Sequence, residues 1–406
     1  MVFPAMSPRP LTVVWISFFP IEWLDGITEE LRTLPKLHPA SWQRVLLGEL
    51  EHREDLRLHI FVLRKQFARS ETFERNGVVF HLIKTLGGLR APSFYWLDTF
   101  LIRRELARVE PDVVHAWGTE GGAALVAGRL GYPYLVTCQG LLNWIGENIP
   151  LNGYDRFHAY LEDIALRGAS TVTAESSFAV RYLKQRHPHL DIHQVEHSPL
   201  AIFFELVRKP QMQPKRFLFV GTFSFLKGGD VLMKALDALV PEMDFELVCI
   251  GSTDKVFVDS LRASTSDSLW RRVRFTGSKT APEIVEELSR ATLVIYPTRC
   301  DNSPNAVKEA VVAGVPVIAS RIGGIVDYVW PFRNGLLFEA GDVEGCRQSI
   351  WDACVHPMFG CGTVDGDALR EARHYLSVST MAARFRALYA SVANGGRAAN
   401  ATAVLR

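Results

Sequence analysis

Residues 293–324 read LVIYPTRCDNSPNAVKEAVVAGVPVIASRIGG, and this stretch decides the fold. Its first four residues, Leu293–Tyr296, form a short apolar run that predicts a buried parallel strand. Ser303 and Pro304 suit the N-cap and first residue of a helix, and Gly314 suits the position after its end. The apolar run that follows predicts the next strand. Together these segments form one βαβ unit, and open parallel sheets bind ligands at the carboxyl ends of such strands.

Two carboxylates flank the start of the predicted helix. Asp301 lies just before it, and Glu309 lies in its second turn. Between them, residues 302–306 supply the free backbone N–H groups of a helix N-terminus, which suit an anionic ligand. A carboxylate within the helix suits hydroxyl groups instead, because it accepts hydrogen bonds and repels negative charge. A ligand with sugar hydroxyls and phosphates satisfies both demands; the alternative is a capped helix whose acidic side chains are only solvated.

This motif resembles the donor-binding signature of the GT-B glycosyltransferases of family 4. In that family an acidic pair separated by seven residues, followed by Ala and by Gly-x-Pro-Val, holds a nucleotide-sugar. Here the pair is Asp301 and Glu309, with Asp where Glu is more usual. The resemblance is dense over residues 216–344 and thinner back to residue 111. It implies that Glu309 holds the nucleotide ribose, and that Asp301 and the backbone of residues 302–305 hold the transferred sugar.

A second glycine-bearing segment precedes this motif. Gly221 follows a predicted strand at Phe217–Val220 and lets the backbone approach a ligand, and Lys227 lies at a helix start. The matching lysine of the family faces the donor pyrophosphate, although a lone lysine there is more often an ordinary surface residue. An arginine common in the family is Thr222 here. The resemblance implies Lys227 and Asp301 as catalytic residues. The donor-binding residues that it implies are Gly221, Thr222, Lys227, Gly251, Asp301, Asn302, Ser303, Asn305 and Glu309.

Gly323 and Gly324, followed by Asp327, match the family's glycine turn before an acidic residue. We expect this turn to support the donor loop from behind. The simpler interpretation is an ordinary turn between a strand and a helix.

The N-terminal half departs further from the family. Where the family often has His-x-His, this chain has His115-Ala116-Trp117, and the histidine that follows the next strand is Gln139. Gln139 can hydrogen-bond to a sugar or phosphate but cannot act as a base. Glu120 or His115 could take the place of that histidine, although a histidine at a strand end is more often structural. The candidate acceptor-side residues are therefore His115, Glu120 and Gln139.

Composition excludes several classes of protein. A net charge of +1 argues against a general nucleic-acid binder, and six scattered cysteines without C-x-x-C spacing predict reduced thiols and a cytoplasmic protein. The apolar run Leu11–Phe19 is too short to span a bilayer, and the charged Glu22 and Asp25 that follow favour a first strand over a signal peptide. No G-x-G-x-x-G follows that strand, which argues against a dinucleotide-dependent dehydrogenase.

At 406 residues the chain predicts two domains, and strands alternating with helices predict a parallel sheet in each. We predict a Rossmann-like acceptor-binding domain at 1–205, a Rossmann-like nucleotide-sugar-binding domain at 206–377 and a helix at 378–393 that crosses back to the first domain. Residues 394–406 are predicted to be a flexible tail. The GT-B resemblance implies that the two domains of this α/β fold face each other across a cleft.

The activity that the resemblance implies is transfer of a sugar from a nucleotide-sugar to a hydroxyl of a glycan, a lipid-linked molecule or a small molecule, with retention at the anomeric carbon. This chemistry belongs to polysaccharide biosynthesis. It implies no metal and no cofactor, since the nucleotide-sugar is a co-substrate. Charge on the leaving diphosphate would then be stabilised by Lys227 and by helix N-termini. The leaving phosphate would take the acceptor proton, so that no protein base is needed.

Two alternatives remain at this point. A catalytically inactive sugar-nucleotide-binding protein that regulates or scaffolds a partner fits the departures at Thr222, Asp301 and Gln139. A sugar-nucleotide epimerase of similar fold is the other. The sequence leaves open the sugar, the base, the acceptor, the oligomeric state and a peripheral contact at the inner face of a membrane.

Overall fold

A computed structural model describes residues 9–36 and 40–404, with side chains to residue 395. The strands of this part of the chain are β1 (Leu11–Ser17), β2 (Leu56–Arg64), β3 (Glu71–Arg75), β4 (Val78–Lys84), β5 (Val113–Trp117), β6 (Tyr134–Cys138), β7 (Thr171–Ala174), β8 (Asp191–Gln194), β9 (Lys215–Val220), β10 (Phe245–Ile250), β11 (Val273–Phe275), β12 (Leu293–Tyr296), β13 (Val317–Ser320) and β14 (Gly335–Phe338).

The α-helices of the same part are α1 (Glu29–Arg32), α2 (Ser41–Leu50), α3 (Trp96–Leu106), α4 (Ala123–Arg129), α5 (Leu142–Asn148), α6 (Gly153–Gly168), α7 (Ser177–Arg186), α8 (Ala201–Phe204), α9 (Gly229–Leu239), α10 (Lys255–Arg262), α11 (Asp267–Trp270), α12 (Ala281–Arg290), α13 (Asn305–Val312), α14 (Val343–Val355), α15 (Gly366–Tyr375) and α16 (Val378–Val404). Short 3₁₀ turns lie at Ile21–Trp23, Ile325–Asp327 and Phe359–Cys361. No helix in the described ranges combines the length and the apolar character needed to cross a membrane.

The chain divides into two compact units. Unit 1 takes its described residues from Met1–Glu175, Val180–Val195 and Met381–Arg406, and unit 2 consists of Ser176–Ala179 and Glu196–Thr380. The main change from unit 1 to unit 2 therefore falls before α8, somewhat ahead of the boundary that the sequence predicts.

The sheet of unit 2 has the strand order β11-β10-β9-β12-β13-β14, and its neighbouring strands are parallel. Counted from β9 this is the order 3-2-1-4-5-6 of a doubly wound sheet, which reverses between β9 and β12. Both faces are buried: Phe217 and Phe219 belong to one apolar cluster, and Leu218 and Val220 belong to another. Continuous apolar strands are what a sheet covered on both sides requires.

The sheet of unit 1 has the order β3-β4-β2-β1-β5-β6-β7-β8. Its strands are parallel except for the edge strand β3, which pairs antiparallel with β4. The order reverses between β1 and β5, so the loops that follow these two strands lie side by side. Strand β3 escapes sequence reasoning because its residues alternate between partly and fully exposed, with no apolar run to mark it.

Helix α16 completes the core of unit 1. Its residues from Met381 onward belong to that unit, as the predicted crossing helix requires. Phe385 and Tyr389 are fully buried, and the indole N–H of Trp15 in β1 donates to the Tyr389 hydroxyl at 3.0 Å. The predicted flexible tail at 394–406 is wrong over its described part, since α16 continues to Val404. Several alanines, the best helix formers, extend it. Residues 405 and 406 of that tail lie outside the described residues.

Candidate functional site

The loops that follow β9 and β12 pack tightly against each other at the reversal point of the unit 2 sheet. Gly228 has φ +73° and lies so close to the loop after β12 that a Cβ there would be 1.8 Å from the Pro297 carbonyl oxygen. Arg299 donates to the Phe225 carbonyl at 2.7 Å and to both carboxylate oxygens of Asp230 at 2.6 and 2.8 Å. This bidentate ion pair between Arg299 and Asp230 fixes the start of α9, which Lys227 closely precedes.

The two predicted catalytic residues meet at this point. The Lys227 ammonium forms an ion pair with Oδ2 of Asp301, although the two residues come from different loops. The Tyr296 hydroxyl donates to the same oxygen at 2.9 Å. Burial, and next the Asp301 charge, raise the pKa of Tyr296 well above its usual value, so this hydroxyl keeps its proton. Asp301 is therefore held by two donors, and both Lys227 and Asp301 keep some exposure to solvent.

The start of α13 differs from the prediction. Pro304 is the N-cap residue and has no side-chain cap, so the proposed Ser303 cap is wrong. The Ser303 hydroxyl donates instead to the Glu196 carboxylate at 2.7 Å, and the buried Lys308 ammonium donates to the same oxygen at 3.1 Å. The hydroxyl donates here to a buried carboxylate, and this charge-assisted bond is stronger than the bond that a capping hydroxyl accepts from a backbone N–H.

This arrangement leaves donors available at the start of α13. Among the described residues, the backbone N–H groups of Asn305 and Ala306 donate to no protein acceptor, whereas those of Val307 and Lys308 bond to the Pro304 carbonyl. Two free N–H groups at a helix N-terminus, with the helix dipole behind them, form a site for an anionic group.

Glu309 carries a half-buried carboxyl group to which no residue in the described ranges donates a hydrogen bond. Burial raises its pKa from the ordinary 4.5 to about 8, and the neighbouring Lys308 ammonium offsets only part of this rise. The Lys308 side chain is itself paired with Glu196. A carboxyl group left without protein donors in such a place is suited to hydroxyl groups of a ligand, which would supply the missing hydrogen bonds.

Glycines at the ends of β9 and β10 keep the approach to this site open. A Cβ on Gly251, whose φ is +132°, would lie 2.2 Å from the Gly221 carbonyl oxygen, so only glycine fits. At Gly221 a Cβ would meet nothing closer than a Tyr296 ring atom at 3.9 Å. Thr222 is exposed, and its hydroxyl lies 3.1 Å from that of Ser252.

The glycine turn after β13 packs against the loop that follows β12. The Gly324 N–H donates to the Asn302 carbonyl at 2.6 Å, and a Cβ on Gly323 would lie 1.9 Å from the Asp301 carbonyl oxygen. The Asn302 side chain is buried and accepts from the Ser176 hydroxyl at 2.7 Å. Asn302 thus shapes the loop through its side chain, and the half-exposed Asn305 begins α13.

In unit 1 the predicted acceptor-side role of His115 is not supported. The ring of His115 is fully buried, with one nitrogen 2.8 Å from the Tyr389 hydroxyl and the other 2.6 Å from the Thr137 hydroxyl. It packs against Trp117 and Phe385. Strand β5 lies inside the sheet and α16 covers it, so this histidine is a satisfied core residue.

Glu120 follows β5 at the reversal point of the unit 1 sheet, and Gln139 follows the neighbouring strand β6. The Glu120 carboxylate accepts from the Gly140 N–H at 2.8 Å. Burial, with a smaller contribution from the Glu162 carboxylate, raises the pKa of Glu120 to about 7. Glu120 borders a cavity of about 930 Å³ and a smaller one of about 380 Å³, and Gln139 borders the smaller one. A carboxyl group that titrates near neutrality beside a cavity can hold or accept a proton there.

Sequence reasoning missed three positioning residues: Tyr296, Lys308 and Glu196. The first two lie within residues 293–324, and a lysine among the apolar residues of α13 was an available signal of a buried partner. Glu196 comes from a distant part of the chain, and nothing in its local sequence marks it.

Across the described ranges no group of three or more His, Cys, Asp or Glu side chains could hold a metal ion. Metal independence stays a prediction.

Each half of the chain matches a known glycosyltransferase family. Residues 214–354 match the family described as Glycosyl transferases group 1, and residues 47–196 match the family described as Glycosyltransferase Family 4. A D-inositol 3-phosphate glycosyltransferase from Arthrobacter sp. is 24% identical over 298 residues, which cover 67% of this chain and 68% of that relative.

Solved structures share the whole architecture. Sucrose-phosphate synthase from Thermosynechococcus elongatus superimposes with a TM-score of 0.74 at 17% identity, covering 94% of this chain and 99% of that one. The Anabaena protein Alr3699/HepE in complex with UDP gives 0.68 at 14% identity, covering 94% and 100%. Each unit has an α/β sheet of mainly parallel strands, Asp301 and Glu309 lie before and within α13, and a glycosyltransferase family matches each half of the chain. The chain is therefore an enzyme of the group 1, family 4 glycosyltransferases with the GT-B fold.

Proposed function

We propose that this glycosyltransferase takes its sugar from a nucleotide-sugar and transfers it to an acceptor hydroxyl with retention at the anomeric carbon. The observation that carries the proposal is the carboxyl group of Glu309, which is half-buried and has no protein donor in the described ranges. The vicinal hydroxyls of a ribose offer two donors to one carboxylate, and they would offset its desolvation.

The diphosphate of the donor would lie between Glu309 and Asp301. The free N–H groups of Asn305 and Ala306 face one side of that position in the loop, and the Lys227 ammonium provides a positive charge from the other loop. As the bond to the sugar breaks, negative charge grows on the departing diphosphate. Donors that are already in place stabilise this charge without reorganisation.

Asp301 would bind hydroxyls of the transferred sugar through the carboxylate oxygen that Tyr296 and Lys227 do not occupy. Because Oδ2 already accepts from both residues, the carboxylate is oriented before the donor arrives. Attack from the face that the diphosphate leaves would give retention, and the departing phosphate oxygen would take the acceptor proton. The solved structure of HepE, a protein of the same fold, contains bound UDP, which supports a nucleoside diphosphate as the ligand of this chain.

A panel of UDP, GDP and their sugar conjugates tests the proposal. We expect one conjugate to raise the melting temperature of the protein and to release free sugar slowly, with the anomeric configuration retained in the sugar as it is first released. Glu309→Ala should lose this response. Glu286→Ala, which removes an exposed acid of α12, is the matched control and should keep it. If no nucleotide or conjugate stabilises the wild-type protein, the proposed donor site is wrong.

A further inference from the structure

Residues 86–100 of unit 1 expose an unusual amount of apolar surface. Six of the fifteen large apolar side chains that are exposed in the described ranges lie in this one segment. They are Leu86, Leu89, Phe94, Trp96, Leu97 and Phe100. Trp96 is 57% exposed and Phe100 71% exposed, which is far from the burial usual for aromatic residues. A concentration of exposed apolar side chains in one segment, here called the patch, marks an interaction surface.

Helix α3 carries large apolar residues on the side that faces solvent as well as on its buried side. Its inner side is formed by the buried Thr99, Ile102 and Leu106. Trp96 and Phe100 are four residues apart, so they lie on one outer face, and the exposed Arg103 and Arg104 continue that face by one turn. A surface helix that presents large apolar side chains followed by arginines has the composition of a helix lying in a membrane interface.

The positive charges beside the patch are not neutralised. In the described part of the chain no carboxylate pairs with Arg103, Arg104 or Arg129. The Arg129 guanidinium lies 4.3 Å from the centre of the Trp96 ring, so the cation and the apolar surface are adjacent. Arginine next to an interfacial tryptophan suits a surface of negative headgroups above an apolar layer.

The cavity of about 930 Å³ lies under the same segment. Its lining includes Gly87, Arg90 and Tyr95 from this segment and the aromatic rings of Tyr154 and Phe157 from α6. Arg90 donates to both carboxylate oxygens of Asp98, at 3.1 Å to Oδ1 and at 2.7 Å to Oδ2, which holds the loop in place. The cavity is therefore lined in part by the same segment that carries the exposed apolar side chains.

We propose that residues 86–100 dock on an anionic lipid surface and that the cavity beneath them holds the apolar chain of an acceptor drawn from that surface. The docking stands on the geometry of unit 1 alone, whereas the identity of the occupant as an acceptor rests on the proposed function. The cavity lining includes Ala91, Pro92 and Leu142 besides its aromatic rings, and these residues offer contacts to an apolar chain. The polar head of that chain would lie at the side of Glu120.

Sedimentation of the full chain with phosphatidylcholine vesicles, with and without phosphatidylglycerol, tests the docking. The wild-type protein should sediment with the anionic vesicles. The double variant Trp96→Ser, Phe100→Ser should bind them at least tenfold more weakly, and Arg103→Glu should lose the dependence on phosphatidylglycerol. Val256→Ser, which removes an equally exposed apolar residue of unit 2, is the control and should bind like wild type.

Several outcomes would overturn the docking. They are failure of the wild-type protein to sediment, equal loss in the control, and unchanged binding in the double variant. Self-association in the absence of lipid that the double variant abolishes would show instead that the patch is a protein interface. UDP binding, measured on the same variants by calorimetry, should not change, because they lie outside the donor site. Vesicle binding without binding of any nucleotide or nucleotide-sugar of the panel would refute the proposed function and leave the docking intact.

Octyl glucoside below its micelle concentration probes the cavity. The wild-type protein should bind it, and Ala91→Trp, which places a large ring on a residue of the cavity lining, should weaken this binding at least tenfold. Melting temperature and UDP affinity of the variant establish that it is folded. Equal binding of octyl glucoside by both proteins would overturn the assignment of the cavity to an apolar chain.

Discussion

Glu309→Gln should stabilise the free protein and at the same time remove its response to the donor. In the folded protein burial raises the Glu309 pKa from 4.5 to about 8. Between these two values the folded state keeps a proton that the unfolded chain has released, so the free energy of unfolding falls as the pH rises. The decrease begins near pH 4.5 and levels off above about pH 8. Glutamine has no such titration.

The size of the effect follows from the difference between the folded and unfolded pKa values of Glu309. A pKa change of one corresponds to about 1.4 kcal/mol, so a fully desolvated carboxyl group would lose about 5 kcal/mol at pH 8. Because part of the Glu309 side chain stays in contact with water, we expect about half of this, roughly 2–3 kcal/mol. In a unit of this size 1 kcal/mol shifts the melting temperature by about 2–4 °C. Glu309→Gln should therefore melt about 5–10 °C higher than wild type at pH 8 and nearly equal to it at pH 5.

The assay is thermal unfolding of both proteins over this pH range, with and without the nucleotide-sugar that the panel selects. The donor should stabilise wild type and leave the glutamine variant almost unchanged, since the amide has one acceptor oxygen and presents N–H donors where the carboxylate has its second acceptor oxygen. Glu286→Gln, on the exposed face of α12, serves as the control for the loss of a charge. Equal melting temperatures of variant and wild type at pH 8 would refute the desolvation argument, and an intact donor response would refute the ribose contact.

Four further predictions concern other parts of the molecule. Lys227→Ala should lower kcat by about 10²–10³-fold with a smaller change in KM, measured by steady-state kinetics, because its charge acts mainly on the leaving diphosphate. Gly228→Ala should lower the free energy of unfolding by at least about 2 kcal/mol more than Gly277→Ala in denaturant titrations, since the two glycines share a positive φ and only the first meets a carbonyl oxygen. Tyr389→Phe should cost about 2–4 kcal/mol of stability and leave kcat unchanged, because it strands two buried hydrogen-bonding partners. Glu120→Gln should abolish a rise of kcat/KM through about pH 7 if the ionised carboxylate accepts from the acceptor hydroxyl.

Each of these has an outcome that contradicts it. Equal losses in kcat and in donor affinity would make Lys227 a binding residue only. Similar destabilisation of the two glycine variants would mean that the loops after β9 and β12 can separate without loss. A fall in kcat for Tyr389→Phe would connect the core of unit 1 to the chemistry. A pH profile of Glu120→Gln that matches wild type would assign the titration to another group.

The candidate site of unit 2 could be predicted because the sequence features that mark it lie close together in the chain. The apolar run of β12, the proline and glycine at the two ends of α13, and the spacing of Asp301 and Glu309 all lie within one short stretch of the chain. Ser303 was misassigned because its true partner, Glu196, lies more than one hundred residues earlier in the chain. Capping preferences are weak enough for one buried carboxylate to override them.

The roles of His115 and Glu120 in unit 1 were harder to predict, because the surroundings of both residues depend on contacts between distant segments of the chain. His115 is a catalytic candidate in the sequence, but in the structure it is buried beside Tyr389, which lies far from it in the chain. The pKa of Glu120 depends on burial and on Glu162, which no local pattern connects to it. The exposed face of α3 was also invisible, because a sequence with apolar residues at helical spacing does not state which of them point to solvent.

The contribution of α16 to unit 1 also bears on how the protein is made. Unit 1 begins first on the ribosome, but the residues that complete its core, such as Phe385 and Tyr389, are synthesised only after all of unit 2. Until then Trp15 and His115 lack the Tyr389 hydroxyl as a hydrogen-bond partner, whereas unit 2 has nearly all of its residues in one continuous stretch. Domains fold as units when their chain is available. The nascent chain would therefore complete unit 2 before unit 1, and β1 would be among the last strands of the two sheets to be fully enclosed.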